Sequence, residues 1–136
     1  MPVTYQIDPT RALIRTRCAE VVTLKEVLEH FFALTNDPAC PAQLDVLLDL
    51  TQLTTIPDSG QIRVAAGEVG RVRSRVQFVH CAIVANREAV VSVGLIFKTF
   101  AKQHFQEATV FSAVEEAEAW LAGTLSLDAT EPGIWI

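Results

Sequence analysis

The chain has 136 residues, half of them hydrophobic and a fifth charged, with 16 acidic against 11 basic side chains and a formal net charge of −5. That length suits one domain with one core, and the composition is that of a folded chain rather than a disordered one. The negative balance disfavours a nonspecific grip on nucleic-acid phosphates, and no stretch approaches the roughly 20 apolar residues of a membrane span.

The opening MPVTYQIDPT has neither the basic start nor the apolar run of a secretory signal, which predicts a cytoplasmic protein. Val3–Asp8 alternates as an edge strand does, with Tyr5 and Ile7 on one side, and Asp8-Pro9-Thr10 turns the chain. Ala12–Arg17 alternates in return, with Ile14 inward and Leu13, Arg15 and Arg17 outward, so the two segments predict an antiparallel hairpin. Thr23, with Glu26 three residues on, reads as a capping box ahead of Leu24, Val27, Leu28, Phe31, Phe32 and Leu34 at helical spacing. Asn36-Asp37-Pro38 ends that helix, since proline disfavours helical geometry in the residue before it.

Leu44–Leu50 is a continuous apolar run, the pattern of a central strand covered on both faces. A polar turn follows, and Asp58-Ser59-Gly60 opens a helix predicted over Gly60–Val72, with Ile62, Ala65, Ala66, Val69 and Val72 inward. Gly67 and Gly70 either weaken this helix or let a neighbour pack closely. Gln77–Ala85 predicts the next buried strand, with His80 and Cys81 as packed core residues. Asn86-Arg87 opens a long helix to about Phe105, with a core stripe of Val90, Val93, Ile96, Phe97 and Phe100. Val91 and Leu95 lie off that stripe, and a second apolar face predicts a homodimer interface. Ala108–Phe111 is a last strand, and Ser112 with Glu115 repeats the capping pattern before a helix burying Val114, Ala117, Trp120 and Leu121. Gly123 marks its expected stop, giving a domain over 1–123 and a tail over 124–136 whose Ile134, Trp135 and Ile136 are expected to dock on this chain or a neighbour. The fold class is α/β, a mixed sheet of about five strands with four helices. Ligand and partner sites in such sheets gather beyond the carboxyl ends of the strands, which is where Asp58 and Ser59 fall.

Cys18, Cys40 and Cys81 are odd in number, far apart and free of Cys-x-x-Cys spacing, so reduced thiols are expected. His30, His80 and His104 are equally scattered, and neither a metal nor a cofactor is expected. Asp45, Asp49 and Asp58 show no acid/base spacing, and Asp45, inside the apolar strand, is either exposed at an edge or bonded to backbone. With no Gly-rich phosphate loop, Ser-His-Asp order or Gly-x-Ser-x-Gly elbow, no catalytic residue is assigned and no enzyme is expected.

Asp49-Leu50-Thr51 at a strand end, followed by Ile56-Pro57-Asp58-Ser59-Gly60 at a helix start, resembles the STAS domain of anti-sigma factor antagonists. In that family a strand ending in Asp-Leu-Ser leads to Asp-Ser-Ser-Gly or Asp-Ser-Thr-Gly, and the residue just before the glycine is phosphorylated by a partner kinase. An ungapped count from Asp49 places Ser59 on the phosphorylated position and Gly60 on the glycine. Asp58 then falls on the preceding Ser and Pro57 on the family's Asp, which is missing unless Asp58 substitutes from one residue later. The ending ATVFSAVEEAEAWL resembles the SpoIIAA-like branch, grouped as STAS/SEC14-like, whose fold is STAS-like and which carries no general biochemical assignment.

Two readings of the motif stand side by side. Asp58 can cap the helix with Gln61 completing the box, leaving Ser59 and Gly60 as first-turn residues. Alternatively a kinase phosphorylates Ser59, and the added charge repels a partner docked on Asp58, Ser59, Gly60 and Arg63. Arg63, one turn on from Ser59, is placed to steady a phosphate, while Arg63, Arg71, Arg73 and Arg75 together form either a solvated face or an anion-binding region. The function implied by the resemblance is a regulatory module that binds a kinase or anti-sigma factor. The alternative is a protein that holds a small apolar or lipid-like ligand under the long helix.

Overall fold

The computed structural model describes residues 3–72 and 75–130, with side chains up to 123. Arg73 and the tail residues Ile134, Trp135 and Ile136 lie outside the described residues. The elements run β1 (Val3–Asp8), β2 (Leu13–Glu20), α1 (Leu24–Thr35), β3 (Gln43–Leu53), α2 (Ser59–Arg71), β4 (Gln77–Val84), α3 (Glu88–Ala101), β5 (Glu107–Phe111) and α4 (Val114–Thr130). This is the expected α/β class, with five strands in one mixed sheet and four helices. Strand order follows chain order, β1-β2-β3-β4-β5; β1 pairs antiparallel with β2, and the remaining neighbours are parallel. Each parallel crossover steps one strand along in the same direction, and right-handed crossovers then place α1, α2 and α3 on one face. After β5, α4 folds back over the other.

The two faces differ in chemistry. Toward α1–α3, β3 presents Leu44, Val46, Leu48 and Leu50, within the main core. Toward α4 it presents Leu47, which packs with Leu13, Ala82, Val84, Ala117 and Leu121 in a smaller cluster. Asp45 and Asp49 flank Leu47 in the strand, so the run Leu44–Leu50 is continuous in apolar character on one face only. Leu13, expected outward, is 1% exposed because α4 covers it. Arg15, two residues along β2, meets α4 instead through a 2.7 Å bond from Nε to Glu118 Oε2, and Arg11 reaches the same carboxylate at 3.1 Å.

Helix starts follow the sequence closely. Thr23 and Glu26 form the capping box of α1, and Asp58 and Gln61 form that of α2. Three ends differ. Helix α3 stops at Ala101 and gives way to a 3-10 turn at Lys102–His104, so that Phe105 turns extended and packs on Phe78, and the Gln106 N–H can bond the Val79 carbonyl. Helix α4 continues past Gly123 to Thr130: a glycine ends a helix by adopting positive φ, and no described glycine does. Ser112 bonds the Glu116 carboxylate rather than pairing with Glu115. Gly70 has the tight neighbour its sequence suggests, since a Cβ there would stand 2.4 Å from His104 Cε1, whereas nothing lies within 4 Å at Gly67. Among the described residues no helix is long and apolar enough to cross a membrane.

Candidate functional site

Between the sheet and helices α1 and α2 lies a cavity of about 170 Å³. Its floor follows from strand register. Ile14 pairs beside Val46 and Thr16 beside Leu48, so alternate side chains of β2 and β3 all point the same way. Its roof follows from helical spacing: Val27, Phe31 and Leu34 of α1 face Ile62, Ala65 and Val69 of α2. Helix α3 contributes Val93 and Phe97. One end is formed by Leu53 at the end of β3 and by Thr55 and Pro57 of the β3–α2 connection, next to the two capping boxes, whose Thr23 and Gln61 also line the wall. Val46 and Leu48, in the middle strand of the sheet, stay only half-buried.

Among the described residues the wall contains no Asp, Glu, Lys or Arg. Burial pushes the thiols of Cys18 and Cys81 up to about 12, with the nearby Asp49 carboxylate adding to the effect on Cys18. Both are therefore protonated and poor nucleophiles. All three cysteines are free. Burial also drives the His30 imidazole down to about 4, so it is neutral at pH 7. The ring is held edge-on between Tyr5 and Phe31, at centroid distances of 5.3 and 5.4 Å, and its Nδ1 is buried without a hydrogen-bond partner.

Asp58, Ser59 and Gly60 stand at the start of α2, beyond the carboxyl end of β3, and all three are exposed. Asp58 Oδ1 accepts the Gln61 N–H at 2.8 Å, and Gln61 Oε1 accepts the Asp58 N–H at 3.1 Å. A Cβ at Gly60 would lie 3.2 Å from that same Asp58 oxygen, so the glycine leaves room for the cap. The Ser59 hydroxyl holds no hydrogen bond among the described residues. Arg63 places its guanidinium 5.0 Å from the centroid of the Phe100 ring on α3, and Arg71 pairs with Glu68 at 2.6 Å. Of the four-arginine cluster, these two thus have partners within the fold. Beside the α2 start, Val21 and Ile56 are 57% and 54% exposed, on segments tied together by the Val22 N–H to Thr55 Oγ1 at 3.1 Å. Val91 packs against the main core, while Leu95 remains 48% exposed.

The two aspartates inside β3 have structural work that sequence reading assigned only in part. Against β4, the step from Leu44↔Phe78 to Val46↔Cys81 leaves Asp45 facing two residues, Val79 and His80. Asp45 Oδ1 accepts the His80 backbone N–H at 3.1 Å and lies 3.0 Å from His80 Nδ1. Against β2, the step from Arg17↔Asp49 to Ala19↔Gln52 inserts an extra residue in β3, and Asp49 Oδ1 accepts the Thr51 N–H at 2.9 Å and its hydroxyl at 2.6 Å. Each aspartate therefore closes a β-bulge by satisfying a backbone N–H displaced from the ladder. His80 is buried against α4, where the Trp120 ring meets it edge-on at 5.9 Å. The pairing of Asp45 with His80, 35 residues apart, has no local signal.

Among the described residues no group of three His, Cys, Asp or Glu side chains could hold a metal ion. No family model matches the chain, and no curated protein matches it in sequence.

Proposed function

We propose that this chain is a non-enzymatic binding protein whose ligand is a small apolar molecule held between the sheet and helices α1 and α2. One observation carries the reading: Val46 and Leu48 lie at the middle of the sheet yet face unfilled space. Interiors are ordinarily packed to crystal density, and a central strand is the last place for a void without a use. An engineered apolar cavity of about 150 Å³ stays dry and takes up benzene, so a space of about 170 Å³ suits a ligand of roughly one ring. The ligand would lie beneath α1 and α2, with α3 contributing only a side wall. Extraction of the native protein with organic solvent, followed by mass spectrometry, is expected to release a bound apolar species; a clean extract counts against the reading.

A second reading is favoured by the exposed Ser59. Here the chain is a regulatory module resembling anti-sigma factor antagonists, docking a kinase or anti-sigma factor through Asp58, Ser59 and Gly60 with apolar help from Val21 and Ile56. A phosphate on Ser59 would meet the positive end of the α2 dipole, but would stand beside the Asp58 carboxylate and put about two negative charges into the interface. A pull-down from native lysate should then recover a kinase-like or sigma-pathway protein with the wild type and lose it with Ser59→Asp. Equal recovery by both forms retires the switch.

A further inference from the structure

We infer that the cavity ligand is an uncharged molecule of about single-ring size bearing one hydrogen-bonding group, and that His30 is the side chain that meets this group; the inference rests on the cavity being a binding site. Charge is excluded first. Among the described residues no charged side chain lines the wall, and Glu26 and Asp58, beside its capped end, serve capping boxes. An anion would find no counter-charge in the wall, and a cation would lose its hydration to thiols, methyl groups and aromatic rings.

Polarity is assigned next. Among the polar side chains in the wall, Thr23 is engaged with Glu26, Thr55 accepts the Val22 N–H, and Gln61 accepts the Asp58 N–H. Of the hydroxyl, amide and imidazole groups there, Thr16 and His30 are the two that hold no side-chain hydrogen bond among the described residues. His30 is the more telling, because its Nδ1 is closed off from water and unpartnered, whereas buried polar atoms in folded proteins are nearly always bonded. A neutral imidazole offers one donor and one acceptor, and a turn about its Cβ–Cγ bond, a broad two-fold torsion, selects which nitrogen meets the cavity. Tyr5 and Phe31 hold the ring edge-on, and Tyr5 is itself occupied, donating its hydroxyl to Asp37 at 2.7 Å. A hydroxyl or amide group on an otherwise apolar ligand would satisfy the imidazole.

Phenol and toluene, alike in shape, separate recognition from mere occupancy. In calorimetric titrations at neutral pH, His30→Phe is expected to weaken phenol about tenfold relative to toluene, the size of one good hydrogen bond, while Thr16→Val shifts that ratio less than about twofold. Benzoate is expected not to bind. In the wild type, the imidazole nitrogen resonances of His30 should move with phenol and stay with toluene, a readout that does not require the variant to fold. An unchanged ratio in His30→Phe, resonances that ignore phenol, a ratio governed by Thr16, or benzoate binding more tightly than phenol overturns the inference. Toluene binding would still uphold the cavity in the first three cases; if neither phenol nor toluene binds, both readings fall.

Discussion

Val46→Ile asks whether the space beneath α1 and α2 is real. Val46 sits on the middle strand, beside Ile14 on β2 and Cys81 on β4, and its side chain faces the cavity. Isoleucine keeps the β-branch, so strand preference is nearly unchanged and the perturbation is one added methylene. Placed in empty apolar space, a methylene contributes about 0.8 kcal/mol; forced into a filled core, it costs about 1–3 kcal/mol. The sign decides. At about 24 cal/mol per Å³, filling the whole 170 Å³ would recover roughly 4 kcal/mol, so a gain of about 0.5–1 kcal/mol from one methylene lies well inside the ceiling. Urea unfolding should show the midpoint rising at unchanged slope, and Val46→Phe should match or exceed wild-type stability while weakening toluene binding more than about tenfold. A loss of 1–3 kcal/mol in Val46→Ile, at unchanged slope, would show a filled core and refute the reasoning.

Three further outcomes follow from the same contacts. Asp45→Ala leaves the His80 N–H and imidazole without their acceptor and should cost about 2–3 kcal/mol, while Asp45→Asn, which can still accept the N–H, should cost under about 1 kcal/mol; equal losses by chemical denaturation would contradict the bulge assignment. His30 titrates near 6.5 in the unfolded chain and about 4 in the folded one, so the unfolded state binds the extra proton between those values. Stability should therefore fall by at most about 3 kcal/mol as pH drops from 6.5 to 4 and level off below, and His30→Phe should remove that slope; parallel pH profiles for the two proteins would contradict it. Ser59→Asp adds a carboxylate at the first position of α2, where the dipole favours it, and should leave the melting temperature unchanged or slightly raised. A drop of several degrees would show that any loss of partner binding by this variant reflects unfolding.

Much of the architecture was legible because its signals are local. Thr23 with Glu26 and Asp58 with Gln61 lie three residues apart, and both boxes form as spaced. The hairpin and the strand–helix alternation likewise follow from period and turn chemistry, and together they bring Asp58 and Ser59 to the carboxyl end of β3. What escaped depends on neighbours remote in sequence. Leu13 reads outward until α4, a hundred residues later, covers it. Asp45 breaks the apolar run for the sake of a bulge whose extra residue belongs to β4. Helix α3 stops short of Phe105 because that ring is needed against Phe78.

The cavity escaped for a different reason. Periodicity tells which residues point inward, but not whether the side chains arriving from β2, β3, α1, α2 and α3 fill the space between them. Val46, Leu48 and Ile62 have the same pattern in a packed core as around a ligand. His30 sits on the inner side of α1, among residues that read as core, and becomes informative only once the residue is seen in the wall with one ring nitrogen buried and unpartnered.

The central claim, that an apolar ligand occupies the space between the sheet and α1–α2, is tested most directly by titrating toluene into the protein and following methyl resonances. Saturable shifts are predicted at Val27, Val46, Leu48 and Ile62, with Leu13, Leu47 and Leu121 in the cluster between the sheet and α4 unmoved. No saturable shift, or shifts confined to the α4 face, would contradict it.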